Sequence, residues 1–203
     1  MYWWNQKSDE APAHAPVSDG ISVAAIRSFY EEHVKGKMKE DCTTADILPV
    51  VKSLTKAALG DGSAGAGLSY CQLLKQQAAA STLTSNAHDE VGEATVFISH
   101  AWKYKFYDFL SALEARFKAR EKLWIDNFCH NQHEELTSDD WITRFEQHIK
   151  QINNTVMIVF PWDNPIPFTR LAHTLDIYHI SCHSYSNMYV CIYEFHHQGV
   201  VPA

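Results

Sequence analysis

Long apolar runs, paired cysteine motifs and an excess of basic residues are all missing from this sequence. No apolar stretch approaches the length of a bilayer span, and residues 1–16 lack the basic start and continuous apolar segment of a signal peptide. The 17 Lys and Arg residues are outnumbered by 24 Asp and Glu, for a formal charge of -7. We therefore expect a cytoplasmic protein with no membrane span and no nucleic-acid partner.

The cysteines form neither a disulfide framework nor a zinc finger. The five cysteines are an odd number at irregular spacings, and no CxxC pair occurs among them. Small secreted scaffolds and zinc fingers both depend on regular cysteine pairs. We therefore expect the thiols to be reduced.

The N-terminal part of the chain has a helical pattern after a short leader. Residues 1–20 are rich in Pro, Ala and Asp and carry no sustained period, which predicts a flexible leader. Residues 21–90 form a predicted helical extension, with Ser22 and Thr44 as caps of its first two helices and SYCQLLKQQAAA as a third. Pro49 makes the second of these helices start late or kink.

From residue 91 onward, apolar strands alternate with amphipathic helices. Apolar β-branched runs predict strands at 94–99, 122–126 and 155–160. Helical stripes predict helices at about 102–119 and 139–152. Ser138, with Asp139 and Asp140, forms the acidic start of the second helix. Its predicted buried face consists of Trp141, Ile142, Phe145, Ile149 and Ile152. This alternation is typical of an α/β fold with a parallel sheet covered by helices on both sides.

Polar and aromatic residues follow the predicted strands. Ser99, His100 and Trp102 come after the first strand, and Asp126 comes after the second. In open parallel sheets, ligands bind in the crevice outside the carboxyl ends of the strands. We therefore predict that Ser99, His100, Trp102 and Asp126 line one cleft.

Four sequence stretches then suggest a family. They are SHAW (99–102), WIDNFCHNQH (124–133), FPW (160–162) and PIPFTR (165–170). Their order resembles that of TIR-like domains of the algal and protist type, relatives of the Toll/interleukin-1 receptor domain. The resemblance implies a flavodoxin-like α/β domain over residues 91–203.

The resemblance implies two functions. The first is a signalling module that acts through self-association or through binding other TIR-like domains. The alternative is an NAD glycohydrolase, for which NAD is a substrate and no cofactor is required. TIR domains that cleave NAD use a glutamate in a W-C-x-x-E sequence on the helix after the third strand. Here Cys191 and Glu194 keep the C-x-x-E spacing, which makes Glu194 the catalytic candidate, whereas Val190 stands in place of the tryptophan.

The other site residues have a functional and a structural interpretation. In the functional one, His100 orients a ribose or phosphate, Trp102 stacks on a base or nicotinamide ring, and Asp126 accepts hydrogen bonds from sugar hydroxyls. In the structural one, the same residues fix the turns after the strands. The sequence leaves both open.

A cluster of Cys129, His130 and His133 could suggest a metal site. Zinc needs a fourth ligand or a defined water position. The resemblance offers a competing explanation, since C-x-N-Q-H belongs to a loop of the TIR-like family. We predict no metal site.

The C-terminal part departs from the family pattern. After Arg170, the segment 171–190 separates PFTR from CIYEF, so we predict an insertion that interrupts the domain and impairs catalysis. Too few residues follow for a complete TIR-like sheet, which predicts an incomplete C-terminal edge. MYVCIY (188–193) is rich enough in β-formers to add a fourth strand.

Overall fold

The computed structural model describes residues 18–57, 67–80 and 89–160, together with the backbone of the strands Met188–His196 and Gly199–Pro202. Several predicted features lie outside these residues. They are most of the leader, the FPW tryptophan, PIPFTR, and the predicted insertion up to residue 187.

The described residues form a mixed α/β fold. The strands are β1 (Asp19–Ser22), β2 (Val91–Glu93), β3 (Val96–Ser99), β4 (Lys122–Trp124), β5 (Thr155–Val159), β6 (Met188–His196) and β7 (Gly199–Pro202). The helices are α1 (Val23–Phe29), a π-helix (Tyr30–Val34), α2 (Leu48–Ala57), α3 (Tyr70–Ala80), α4 (Phe106–Arg116), α5 (Asp126–Cys129) and α6 (Ser138–Ile152). Among them, no helix is both long enough and apolar enough to cross a bilayer.

The centre of the sheet is parallel, as predicted. The strand order is β2-β1-β4-β3-β5-β6-β7. Strand β3 lies between β4 and β5 and is parallel to both, with Phe97 opposite Trp124 and Ser99 opposite Met157. The predicted fourth strand is confirmed as β6, which pairs in parallel with β5.

The edge beside β4 was not predicted. Strand β1 pairs antiparallel with both β2 and β4, and Ile21 lies opposite Leu123. It occupies the end of the predicted leader and the first residues of the predicted helical extension. A Cβ on Gly20 would lie 2.9 Å from the Ala94 Cα, so this close packing of backbones requires glycine.

One face of the sheet carries the larger core. The predicted stripe of α4 is buried there, at Phe106, Phe109, Leu110, Leu113 and Phe117. Phe29 and Ile26 of α1, Val51 of α2 and Ile47 just before α2 belong to the same hydrophobic cluster. Each fully buried side chain of this size stabilises the fold by about 1.5–3 kcal/mol. The N-terminal helices are therefore part of the packing that supports the sheet.

Helix α6 covers the opposite face. Phe97 stacks on Trp124 with ring centroids 4.7 Å apart, and Phe145 of α6 meets Phe97 edge-on at 4.8 Å. One detail of the predicted helix was wrong. Ile142 is 43% exposed, because the apolar stripe of the helix faces the sheet on its other side. The helix begins at Ser138, as predicted, and Thr137 is its N-cap, because the Thr137 side chain accepts a hydrogen bond from the Asp140 backbone N–H.

Candidate functional site

Two of the predicted site residues are in direct contact at the carboxyl ends of neighbouring parallel strands. Trp102 lies in the loop between β3 and α4, and Asp126 begins α5 directly after β4. The Trp102 indole N–H donates a hydrogen bond to Asp126 Oδ2 at 2.7 Å. The two side chains therefore meet at one edge of the sheet, and their role in lining a ligand cleft stays a prediction.

The Asp126 carboxylate is engaged within the protein. The residue is only 6% exposed. Its Oδ2 accepts from Trp102, and its Oδ1 accepts from the backbone N–H of Asn127 at 2.9 Å. Its backbone carbonyl accepts from the Gln132 side chain at 2.6 Å. Asp126 therefore connects three pieces of the loop structure.

Trp102 is the most accessible of these side chains. It is 42% exposed although its indole N–H is fixed by Asp126. The backbone of the residue is also held, because the Ala45 N–H donates to the Trp102 carbonyl at 3.0 Å. An aromatic side chain that is exposed yet anchored is suited to contact with a ligand or a protein partner.

The His100 side chain packs against α4 and is mostly neutral. Its ring stacks on Phe109, with centroids 4.4 Å apart and planes inclined by 26°. Burial lowers the pKa of His100, although the charge of Asp126 and hydrogen bonding by Asn127 and Ile98 act in the opposite direction. The imidazole is therefore mostly neutral at pH 7.

Two buried polar atoms near this point have no hydrogen-bond partner among the residues that the structure describes. They are Nε2 of His100 and Oδ1 of Asn127. The Asn127 side chain is close enough to raise the pKa of His100. The contact between the two side chains does not, however, have the geometry of a hydrogen bond. Buried polar atoms are usually paired, so these atoms are a local cost of the arrangement.

Ser99 and Glu194 lie on strands β3 and β6. Ser99 is the last residue of β3 and is half-buried. Glu194 belongs to β6, where its backbone lies opposite Val201 of β7 and two residues beyond Ile192. The resemblance implies a helix at this glutamate, whereas the structure has a strand. The last three residues of the predicted insertion, 188–190, also belong to β6.

The sequence did not reveal the segment that holds this edge in place. Asn127 Nδ2 donates to the Thr44 carbonyl at 2.9 Å, and the Thr44 N–H donates to the Tyr104 carbonyl at 2.9 Å. Thr44 was predicted as a helix cap, but α2 begins only at Leu48, as the late start at Pro49 suggested. The turn around Thr44 therefore fastens the loops after β3 and β4. No local pattern could have indicated these distant partners.

Tyr104 connects the same loop to β5. Its hydroxyl donates to the Ile158 carbonyl and accepts from the Phe160 N–H, both at 3.1 Å. Its ring stacks on Phe160 at 3.6 Å. Burial raises the pKa of Tyr104 to about 12, so the hydroxyl stays protonated. The carboxyl ends of β3, β4 and β5 are thus joined by side-chain hydrogen bonds.

The Cys129, His130 and His133 side chains make separate contacts. Cys129 Sγ lies 3.6 Å from Cys71 Sγ, and His133 Nε2 lies 2.8 Å from Thr55 Oγ1. The His130 ring meets Trp141 edge-on at 4.6 Å. Within residues 18–57, 67–80 and 89–160, no group of three or more His, Cys, Asp and Glu side chains is arranged to hold a metal ion.

Comparisons of the chain with protein-family models, with curated proteins and with solved structures find no match. The case for a function therefore depends on the sequence motifs and on the geometry described above.

Proposed function

We propose that this protein is a TIR-like signalling module that acts through self-association or through binding other TIR-like domains. The proposal is supported by the order of the parallel strands, β4-β3-β5-β6, which has the same pattern as the first four strands of the flavodoxin-like order 2-1-3-4-5. The observation that carries the proposal is that the motif residues His100 and Asp126 make their contacts with other residues of the fold. Each carboxylate oxygen of Asp126 accepts a hydrogen bond from within the protein, and the His100 ring stacks on Phe109.

The exposed aromatic side chains support an interaction surface. Trp102 is 42% exposed in the loop after β3, and Tyr107 is 49% exposed in the first turn of α4. Aromatic residues are enriched at protein interfaces, where a large rigid side chain is buried at low entropic cost. We expect Trp102 and Tyr107 to contact the partner.

Sedimentation velocity over a range of protein concentrations tests this function. We expect the native protein to associate, and Trp102→Ser with Tyr107→Ser to weaken the association at least tenfold. Ile142→Ser is the matched control, since Ile142 is 43% exposed on α6 over the other face of the sheet. A native protein that stays monomeric and binds no TIR-like domain would contradict the proposal.

The second candidate function is cleavage of the nicotinamide glycosidic bond of NAD. It is favoured by one observation: Ser99, Trp102, Asp126 and the backbone of Glu194 lie at or just beyond the carboxyl ends of parallel strands. In this proposal the Trp102 indole stacks on the nicotinamide ring. The Glu194 carboxylate stabilises the oxocarbenium-like ribose of the transition state.

The second function is tested by incubating the protein with NAD and measuring the released nicotinamide by chromatography. If the protein is a hydrolase, nicotinamide accumulates with the native chain and falls to background with Glu194→Gln. Trp102→Ala would then raise KM more than it lowers kcat. If the protein acts only as an interaction module, native protein and Glu194→Gln give the same background.

A further inference from the structure

Two thiols from distant parts of the sequence lie against each other beside the candidate site. Cys71 of α3 donates a hydrogen bond to Cys129, the last residue of α5, with the sulfur atoms 3.6 Å apart. Cys71 is fully buried and Cys129 is half-buried. A disulfide bond is about 2.05 Å long, so the two sulfur atoms need to approach by only about 1.5 Å.

The surroundings give the two thiols different roles. Cys129 Sγ accepts hydrogen bonds from the Ile125 N–H, at 3.4 Å, and from Cys71. The Cys129 thiol hydrogen points to the Leu123 carbonyl at 3.6 Å. Cys129 is half-buried and is therefore the thiol of the pair that a small reagent can reach.

Cys71 is protected until its neighbour has reacted. The hydrogen bond to Cys129, together with burial, raises the pKa of Cys71 well above its usual value. Cys71 consequently stays a thiol and has no direct access to solvent. It can still attack Cys129 once the Cys129 sulfur has become electrophilic.

We propose that Cys71 and Cys129 form a reversible dithiol site that is oxidised by hydrogen peroxide. The Cys129 sulfur attacks one peroxide oxygen and the O–O bond breaks, which yields a sulfenic acid and one water. The Cys71 sulfur then attacks the Cys129 sulfur and the S–O bond breaks. The departing hydroxide takes the Cys71 proton and leaves as a second water. Two thiols lose two electrons in total, and a thiol reductant restores them.

The disulfide would affect the candidate site through α5. The helix extends from Asp126 to Cys129, so a bond to α3 restrains the segment that holds the Trp102 indole. Closing the long loop between the two cysteines also restricts the unfolded chain. We expect Tm to rise by roughly 5–15 °C on oxidation. The inference does not depend on the proposed function.

The test uses the full chain, titrated with hydrogen peroxide, alkylated, digested without reductant and mapped by mass spectrometry. We expect a cross-linked peptide that contains Cys71 and Cys129 and disappears after dithiothreitol treatment. Cys71→Ala should leave a sulfenic acid on Cys129 that dimedone traps. Cys42→Ala, a matched change at another buried cysteine, should cross-link like the native protein.

The native peptide map decides the outcome even if Cys71→Ala does not fold. A bond from Cys129 to Cys182 or Cys191, or a sulfinic acid on Cys129 beside a reduced Cys71, would overturn the proposal. Glutathione disulfide at equal oxidising equivalents should react more slowly, because Cys129 is half-buried and the reagent is large. Faster cross-linking by glutathione disulfide would refute peroxide as the oxidant.

Discussion

The side-chain amide of Asn127 donates a hydrogen bond to the backbone carbonyl of Thr44 at 2.9 Å, across 83 residues of sequence. This bond connects the turn before α2 to the end of β4. Since Asn127 is 1% exposed, the bond is shielded from water. The N-terminal helices therefore influence the geometry of the candidate site as well as the core.

Asn127→Ala should lower the free energy of unfolding by about 1–3 kcal/mol, because the Thr44 carbonyl loses a buried donor. Urea denaturation measures this change. Asn154→Ala is the control, since it removes an exposed bond from Asn154 Nδ2 to the Thr95 carbonyl and should cost less than about 1 kcal/mol. Equal losses in the two variants would mean that the Thr44 contact has no special weight.

Trp102→Phe should destabilise the protein by about 1–2 kcal/mol, because the phenyl ring cannot donate to the Asp126 carboxylate. The same urea titration provides the measurement. Tyr107→Phe, which removes a hydroxyl from a similarly exposed aromatic residue, should stay within about 0.5 kcal/mol of the native protein. If Trp102→Phe also leaves the free energy of unfolding unchanged, the hydrogen bond from the indole to Asp126 does not hold the loop.

Gly67→Ala should lower the free energy of unfolding by about 1–3 kcal/mol, because the added methyl group would clash with one neighbouring side chain. A Cβ at this position would lie 1.9 Å from Cδ2 of His133. Gly67 is not at a positive φ, so its backbone would otherwise accept alanine. In the His133→Ala background the cost should largely vanish. A double-mutant cycle by urea denaturation measures this coupling, and additive costs would contradict it.

Stability should decrease in mild acid, partly because of His100. Its folded pKa lies below the ordinary value of 6.5, so the unfolded chain binds protons more readily. The contribution of His100 is complete above pH 6.5 and is lost as the pH falls from there toward the folded pKa. Each such group contributes a slope of at most about 1.4 kcal/mol per pH unit.

The comparison of native protein with His100→Gln isolates this contribution. Unfolding free energies between pH 7.5 and 5 should fall less steeply for the variant. Some pH dependence should persist, because burial also lowers the pKa of His130 and His148. Identical slopes would show that His100 does not resist protonation in the folded state.

The central strands could be predicted because burial leaves a local pattern. TVFIS and TVMIV are continuous apolar runs of the length that a parallel strand buried on both faces requires. Strand β1, with sequence DGIS, and β2, with sequence VGE, carry no such pattern. They form strands because they pair at the edge of the sheet, and that edge exists only once the rest of the fold has formed.

The candidate site could be predicted as a location but not as a set of bonds. Strand ends indicated that Trp102 and Asp126 lie at one edge, and the structure agrees. The contact of Asn127 with Thr44 and that of Cys71 with Cys129 join residues far apart in sequence. No spacing rule describes such pairs, because only the packing of the helices brings them together.

Strand β1 has a consequence for the order in which the protein assembles. Ile21 leaves the ribosome about a hundred residues before Leu123, the residue opposite it in the sheet. Until that partner has been synthesised, β1 can pair only with β2, and β4 would have an open hydrogen-bonding edge if β1 were removed. Contacts between such distant residues slow folding and expose strand edges to aggregation. The first strand to be made among the described residues therefore completes its pairing only after β2, β3 and β4 have been made.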